Sequence, residues 1–316
     1  LSLDILKFFD IKNAKVEITD KGALDFVIAA RLESALKEII TSEKEYLLPL
    51  IKENNYSTDK KNARRSRLYL PGDSPKLMIN AGIYSADGII LDLEDSVAPD
   101  RKNEARYLVR NALRSVNFYG AERMVRINQV PEGLNDLKYI VPHNVNLILI
   151  PKCETPAQIK QVDKKISELA QKPGHRIHLM PIIESALGVI NAYNIASASK
   201  NIVAMAIGLE DYTADLGAQR TEEGRESFYA RIAIVNACAA AGIQAIDSVY
   251  SDVMNMEGLK STVASSKALG FVGMGCIHPR QLELINTGYN PGEDEIEKAK
   301  VIVLAFEEAR RKGSGV

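Results

Sequence analysis

From Ser66 onward, short apolar runs alternate with longer segments whose apolar residues recur at helical spacing. The runs number eight: RLYLP, GIILDLE, RMVRIN, LILIPKC, RIHLMPII, IVAMAIG, AIDSVY and FVGMGC. Such runs predict buried strands, and strands joined by crossover helices form a parallel sheet. Eight units of this kind can close into an α/β TIM barrel, (β/α)₈. An open doubly wound sheet is the alternative, but the sequence has no GxGxxG or GxxxxGK[ST] turn to support it.

The first 48 residues follow a different pattern. LDILKFF suggests the end of a helix, AKVEIT alternates like a strand, and GALDFVIAARLESALKEII predicts a helix that Asp20 would cap. The stretch up to residue 65 is mostly polar and charged, which is typical of a linker. We therefore expect a small N-terminal α/β fragment at 1–48, a linker at 49–65 and a barrel domain at 66–316.

The charge of the chain is nearly balanced. Forty basic and forty-one acidic side chains give a formal net charge of -1, so no general electrostatic attraction to nucleic acid or to an anionic membrane is expected. The sequence has no apolar run long enough to span a membrane, and its first residues do not resemble a signal peptide. Three scattered cysteines, Cys153, Cys238 and Cys276, fit buried thiols in a reducing compartment. We expect a cytoplasmic protein.

Polar residues cluster where the predicted strands end, and in a barrel those ends converge on one mouth. The densest cluster is Asp92, Glu94 and Asp95. The ends together supply Pro71, Gly72, Asp92, Glu94, Asp95, Arg126, Asn128, Lys152, Glu184, Glu210, Asp211, Asp247 and His278. We expect the mouth to be an active site, with Pro71 and Gly72 beside the substrate.

Oxygen ligands without a His/Cys cluster favour Mg²⁺. Glu184 and Asp211 are 27 residues apart, about one βα unit, so they would lie on adjacent strands and could share one ion. The structural alternatives are a carboxylate at a helix N-terminus for Glu184 and a turn residue for Asp211.

Arginine in this mouth needs an anionic partner. Arg126 could bind a substrate carboxylate or form a structural ion pair with Glu94 or Asp92. Arg65 could be a second carboxylate clamp or a solvated residue of the basic linker. Glu94 and Asp95 could orient waters and the arginine, or Asp95 could cap a loop or helix.

At these residues the sequence resembles the citrate lyase beta subunit, a citryl-thioester lyase of the aldolase and citrate lyase family. The similarity runs from about Arg64 to Gly315 through RRSRLYLPGDSPKLM, ADGIILDLEDSVAP, MVRIN, ILIPKCET, IIESALGVINA, GLEDYTADLG, FYARIAIVNACAAAGIQAIDSVYSD and MEGLKSTVASSKALGF. The resemblance implies that Glu184 and Asp211 hold Mg²⁺ and that Arg126 binds a substrate carboxylate.

The N-terminal segment VEITDKGALDFVIAARLESAL resembles part of the citrate lyase gamma subunit, an acyl carrier protein that bears phosphoribosyl-dephospho-coenzyme A. The carrier's modified serine precedes the matching part, so Ser2 is not its equivalent. We expect the modified serine to lie upstream of this sequence. The family pattern also continues past GSGV into a C-terminal lid with a functional Asp.

The resemblance implies Mg²⁺-dependent cleavage of citryl-acyl carrier protein or citryl-coenzyme A to oxaloacetate and an acetyl thioester. Glu94, Asp95 and Arg126 are the candidate catalytic residues. The expected partners are the citrate lyase alpha subunit, an acyltransferase, and further copies of the chain in a homo-oligomer. The alternatives are a malyl- or citramalyl-coenzyme A lyase, and a non-catalytic scaffold that docks a carrier.

Overall fold

A closed barrel of eight parallel strands, in chain order, forms the centre of the protein in a computed structural model that describes residues 1–11, 24–50, 61–170, 176–221 and 223–311. The strands are β1 (Ser66–Pro71), β2 (Gly88–Asp92), β3 (Glu122–Arg126), β4 (Leu147–Ile150), β5 (His178–Ile183), β6 (Ala204–Ile207), β7 (Gln244–Asp247) and β8 (Gly273–Cys276). Each falls within or against one of the eight apolar runs, so the prediction of a (β/α)₈ barrel is confirmed.

Helices follow the strands and form the outer layer of the barrel. The α-helices within the described ranges are α1 (Ser2–Phe8), α2 (Asp25–Ile39), α3 (Pro75–Ile79), α4 (Lys102–Ser115), α5 (Gly133–Ile140), α6 (Pro156–Leu169), α7 (Ala186–Ile190), α8 (Ala192–Ala196), α9 (Leu209–Leu216), α10 (Arg225–Ala241), α11 (Met256–Leu269), α12 (Leu282–Tyr289) and α13 (Glu293–Arg311).

The strands bury both of their faces, as expected for a parallel sheet covered by helices. On β1, Leu68 and Leu70 belong to the core between sheet and helices, whereas Tyr69 packs with the apolar cluster inside the barrel. Strand pairing closes the ring, because β1 pairs with both β2 and β8. All eight strands are parallel, so their carboxyl ends lie at one mouth.

The N-terminal segment contributes helices that lie on the outside of the barrel. The expected helices are present as α1 and α2, and Leu24 is at the N-cap position of α2. Asp20, the expected cap, lies outside the described residues. The predicted strand AKVEIT lies outside the described residues. Helix α2 packs along α4, the barrel helix that follows β2. Arg31 of α2 also donates a hydrogen bond to Glu104 in the first turn of α4, at 2.9 Å.

A buried ion pair joins α2 to α4. Arg110 Nη2 lies 2.6 Å from Glu33 Oε2, and both side chains are fully buried. Arg110 also donates to the carbonyl oxygen of Tyr46, and Asn111 donates to that of Phe26. The N-terminal segment is therefore docked on the barrel by polar contacts that water cannot reach.

Two further features concern the cysteines and the helices. The three cysteines are free thiols and are buried. Within the described ranges, the helices lack the combination of length and apolar character that crossing a bilayer requires.

Removing one partner of the buried pair should destabilise the protein strongly. Glu33→Ala leaves the Arg110 guanidinium buried without its carboxylate, which costs about 3–5 kcal/mol of unfolding free energy. Replacing both residues by Met should cost less, because no charge then remains buried. Urea denaturation measures the effect, with Glu38→Ala on the exposed side of α2 as the control. Equal stabilities of Glu33→Ala and Glu38→Ala would contradict this role of the ion pair.

Candidate active site

A cavity of about 360 Å³ opens at the barrel mouth. Residues from the ends of several strands line it. The cavity extends from its rim into the barrel interior. The lining side chains include Arg67, Tyr69, Pro71, Asp92, Asp95, Arg126, Glu184, Glu210, Asp211, Asp247 and Ser248. Residues that are far apart in the sequence, such as Arg67 and Ser248, thus meet in one site.

Arg126 is held rigidly at the end of β3. Its Nε and Nη2 each lie 2.7 Å from one oxygen of Asp92, which ends β2. Burial would raise the pKa of Asp92, but hydrogen bonds from Arg126 and its charge lower it. Burial would likewise lower the pKa of Arg126, and Asp92 instead raises it. The bidentate pair is therefore ionised and fixes the guanidinium plane.

The third nitrogen of Arg126 faces a second carboxylate. Nη1 lies 2.9 Å from Glu94 Oε2 and 3.8 Å from Asp95 Oδ2. Burial raises the pKa of Glu94 to about 7, although Arg126 opposes the shift. Glu94 can therefore exchange a proton near neutral pH, whereas Asp95 is largely exposed at the rim. The structural ion pair considered for Arg126 is present in this structure.

Lys152 supplies the second positive charge among these carboxylates. Its Nζ lies 3.3 Å from Asp211 Oδ2, 3.8 Å from Glu94 Oε1 and 3.9 Å from Asp95 Oδ1. Burial would lower the pKa of Lys152, but the charges of these three acids raise it. The sequence placed Lys152 at a strand end, but its spacing gave no indication that it would lie among three acids.

Glu184 follows β5 and is almost completely buried. Its Oε2 accepts a hydrogen bond from the backbone N–H of Lys152 at 2.8 Å. Burial raises the pKa of Glu184 to about 7, and Glu94 and Asp211 add to the shift. Gly208 makes room for this side chain, because a Cβ there would lie 2.6 Å from Glu184 Oε1.

These groups fit Mg²⁺ by their chemistry. Glu184 and Asp211 both line the cavity, and each provides carboxylate oxygen. Within the described ranges, no three His, Cys, Asp or Glu side chains are arranged to hold a metal by themselves. Mg²⁺ usually binds through one or two carboxylates and completes its shell with waters and substrate oxygens, so two are sufficient. A cation here would also offset the desolvation that raises the pKa of Glu184.

The structure corrects the expectation for Arg65. This residue precedes β1 and therefore lies at the amino end of the barrel, opposite the mouth. Its Nε and Nη2 bind the two oxygens of Asp87 at 2.8 and 2.7 Å, and its Nη1 donates to Asn290. Arg65 is neither a clamp at the cavity nor freely solvated. Its position before the predicted strand is the sequence signal that would have placed Arg65 at this end.

Pro71 and Gly72 have different environments. Pro71 lines the cavity. The Gly72 N–H donates to the Asp92 carbonyl oxygen at 2.7 Å, and a Cβ at Gly72 would collide with that same oxygen. Gly72 therefore allows β1 and β2 to approach each other, and its N–H is not available to a substrate.

Sequence reasoning missed two residues that line the interior of the cavity. Tyr69 lies beneath Arg126, whose guanidinium carbon is 5.4 Å from the ring centroid. Arg67 lies two residues earlier on β1 and is 1% exposed. Alternation along a strand predicts that positions 67 and 69 share a face, and this signal could have identified both.

The barrel and its acidic mouth define a class of α/β-barrel enzymes, and comparison with known proteins identifies the family. The family model HpcH/HpaI aldolase/citrate lyase matches residues 65–279. An acyl carrier protein model, described as malonate decarboxylase delta subunit, matches residues 2–39. The chain belongs to the HpcH/HpaI aldolase/citrate lyase family and carries a segment similar to an acyl carrier protein.

Individual relatives agree with this assignment. The chain is 40% identical to the citrate lyase subunit beta of Leuconostoc mesenteroides subsp. cremoris, over 80% of this chain and 85% of the relative. It is 31% identical to the human mitochondrial citramalyl-CoA lyase, over 85% of this chain and 83% of the relative. A solved citrate lyase beta subunit from M. tuberculosis, complexed with oxaloacetate and magnesium, has 32% identity and a TM-score of 0.62, and the match covers 73% of this chain and 99% of that one.

Filling the space at Gly208 should weaken metal binding. Gly208→Ala places a methyl group 2.6 Å from the present position of Glu184 Oε1, so the carboxylate must move. We expect the affinity for Mn²⁺, measured by electron paramagnetic resonance, to fall about 10- to 100-fold, as for other changes that reorient a metal ligand. Gly292→Ala, whose Cβ would have only the Glu295 carboxylate nearby, at 3.7 Å, is the control. Unchanged Mn²⁺ affinity in Gly208→Ala would contradict a role for Glu184 as ligand.

Proposed function

We propose that this protein is a Mg²⁺-dependent carbon–carbon lyase that cleaves a citryl thioester to oxaloacetate and an acetyl thioester. The observation that carries the proposal is the single cavity that Glu184, Asp211 and Arg126 line together. Similarity to citrate lyase beta subunits over 80% of the chain supports the citryl substrate. The solved relative that contains oxaloacetate and magnesium supports both the product and the metal.

Glu184 and Asp211 would hold the metal. When bound, Mg²⁺ supplies positive charge that stabilises the substrate's hydroxyl oxygen and neighbouring carboxylate as negative charge develops. Lys152, 3.3 Å from Asp211, adds charge of the same sign at the rim. Glu184 is fixed by the Lys152 backbone N–H and by the close approach of Gly208.

Arg126 orients the substrate. Asp92 holds two of its nitrogens, so only the Nη1 edge, which now faces Glu94, is available to another anion. A substrate carboxylate binds at this edge in place of Glu94. The exchange is favoured because Glu94, with a pKa of about 7, is readily protonated and then no longer carries the charge that Arg126 binds.

Cleavage requires two proton movements. The hydroxyl group loses its proton as the carbon–carbon bond breaks, and the electron pair of that bond passes to the acetyl thioester as an enolate. The enolate carbon then takes up a proton, so one proton is released and one is taken up in each cleavage. Glu94 and Asp95 are the groups assigned to these transfers, since they flank the Nη1 edge of Arg126 and one of them titrates near neutral pH.

The substrate is carried as a thioester of an acyl carrier protein or of coenzyme A. The match of residues 2–39 to an acyl carrier protein model supports the first carrier. On this proposal the chain divides into a carrier-like segment at 1–48, a linker at 49–65 and the lyase barrel at 66–316. Similarity to citramalyl-CoA lyase makes cleavage of a citramalyl thioester the second candidate function.

The proposal also covers the partner subunits of this chain and its compartment. A citrate lyase alpha subunit would act as the acyltransferase that loads citrate on the carrier, and the chain would work as a homo-oligomer. The cytoplasm is the proposed compartment, which the three free thiols support.

Loss of either metal ligand should abolish cleavage without unfolding the barrel. We expect Glu184→Gln and Asp211→Asn to lower kcat/KM for citryl-coenzyme A about 1,000-fold or more, because Lewis-acid stabilisation is worth several kcal/mol. Oxaloacetate release, coupled to NADH oxidation by malate dehydrogenase, measures the rate. Circular dichroism checks that the fold is intact.

The neighbouring acid provides a matched control. Glu210 binds Arg220 and Ser251, so Glu210→Gln should keep activity within about tenfold of the unaltered protein. Citramalyl- and malyl-coenzyme A, assayed in parallel, should be poorer substrates than citryl-coenzyme A. Full citryl cleavage in excess EDTA would refute the metal-dependent mechanism.

A further inference from the structure

Arg67 is a buried arginine whose side chain lies inside the barrel. It shares the inward face of β1 with Tyr69, whereas Leu68 between them packs outward. Its strand neighbours are glycines, since Arg67 is paired with Gly88 on β2 and with Gly275 on β8. A Cβ at Gly88 would lie 3.4 Å from Arg67 Cγ, and one at Gly275 would lie 3.1 Å from the Tyr69 ring. The glycines leave space for both side chains.

The Arg67 guanidinium has no anionic partner among the described residues. Its Nη1 contacts the sulfur of Met180 at 3.0 Å, and its buried Nε has no hydrogen-bond partner there. Three other buried arginines bind carboxylates: Arg64 binds Glu122, Arg106 binds Asp136 and Arg110 binds Glu33. Desolvation lowers the pKa of Arg67, which reflects the cost of keeping this charge buried and unpaired. An anion bound beside Arg67 would offset that cost.

The cavity at the mouth extends to Arg67. Both Arg67 and Tyr69 line it, together with Arg126 and Glu184. Arg67 is four residues before the end of β1, so its backbone lies about 10 Å deeper in the tilted strand than the rim. Tyr69 lies two residues nearer the mouth on the same strand, and the Arg126 guanidinium carbon is 5.4 Å from the centroid of its ring. The cavity therefore has an anion-binding group at the rim and a second one at its inner end.

We propose that Arg67 binds the second carboxylate of the substrate and selects a citryl group over smaller hydroxyacyl groups. This inference rests on the proposed function. In a citryl thioester the carbon that bears the hydroxyl group carries one carboxylate and one carboxymethyl group, whereas a citramalyl thioester has a methyl group in the latter position. The carboxymethyl carboxylate points inward to Arg67 when the first carboxylate is at the mouth.

Products test this inference without turnover. Oxaloacetate keeps both carboxylates, and pyruvate has only the one beside its ketone. In the presence of Mg²⁺, calorimetry of the unaltered protein should give tighter binding of fresh oxaloacetate than of pyruvate. Arg67→Met should weaken oxaloacetate about 10- to 100-fold, the range for a charge-assisted hydrogen bond, and change pyruvate less than about threefold. Arg67→Lys should keep part of the preference, because the positive charge remains.

Arg123→Met is the matched control. Arg123 is also a buried arginine, on β3, but it does not line the cavity, and its Nη1 donates to the carbonyl oxygen of Asn144. It should leave the oxaloacetate-to-pyruvate affinity ratio unchanged. An unchanged ratio in folded Arg67→Met, or no preference for oxaloacetate in the unaltered protein, overturns the inference.

Kinetics separate this inference from the proposed function. In the unaltered protein kcat/KM should be higher for citryl- than for citramalyl-coenzyme A, and Arg67→Met should reduce that ratio about 10-fold or more. Absence of Mg²⁺-dependent cleavage of any citryl thioester by the unaltered protein refutes the proposed function. Citryl cleavage with an unaltered citryl-to-citramalyl ratio in Arg67→Met refutes only the role of Arg67.

Discussion

Desolvation of carboxylates at the barrel mouth is the constraint that organises the site. Closure of eight parallel strands brings Asp92, Glu94, Glu184 and Asp211 to one end of the barrel, where burial raises the pKa values of Glu94 and Glu184 and neighbouring acids add to both shifts. Arg126 neutralises one side of the cluster through its pair with Asp92. Lys152 lies among the acids on the other side. The remaining cost of desolvation appears as the raised pKa values of Glu94 and Glu184, and a divalent cation would offset it.

Helix α4 connects this site to the N-terminal segment. At its first residue, Lys102 donates to the carbonyl oxygens of Leu93 and Glu94 and so fixes the acidic loop after β2. In the same first turn, Glu104 accepts a hydrogen bond from Arg31 of α2, and Arg110 binds Glu33 farther along the helix. The carrier-like segment thus lies against the flank of the barrel, on the helix that supports the acidic loop.

The sequence predicted the barrel well because its strands are continuous apolar runs, and parallel strands require crossovers. It also predicted that Glu184, Asp211 and Arg126 would meet, since all three lie at or just after the carboxyl ends of strands. The prediction for Arg65 was wrong because a residue that directly precedes a parallel strand lies at the amino end of the barrel, away from the mouth. Arg67 was missed because a charged residue within a strand suggests a solvent-exposed face, and here that face is the barrel interior. Docking of α2 depends on the Glu33–Arg110 contact, which sequence spacing does not reveal.

The central claim is that the acidic mouth holds one divalent cation between Glu184 and Asp211 together with a two-carboxylate product. Crystals grown with Mn²⁺ and oxaloacetate, measured by anomalous diffraction, test this claim most directly. The account predicts one anomalous peak within coordination distance, about 2.0–2.3 Å, of oxygens from both Glu184 and Asp211. It also predicts that Lys152 leaves Asp211 and that one product carboxylate lies beside Arg126. A peak bound by other residues, or a mouth without metal and with Lys152 still paired to Asp211, would contradict the account.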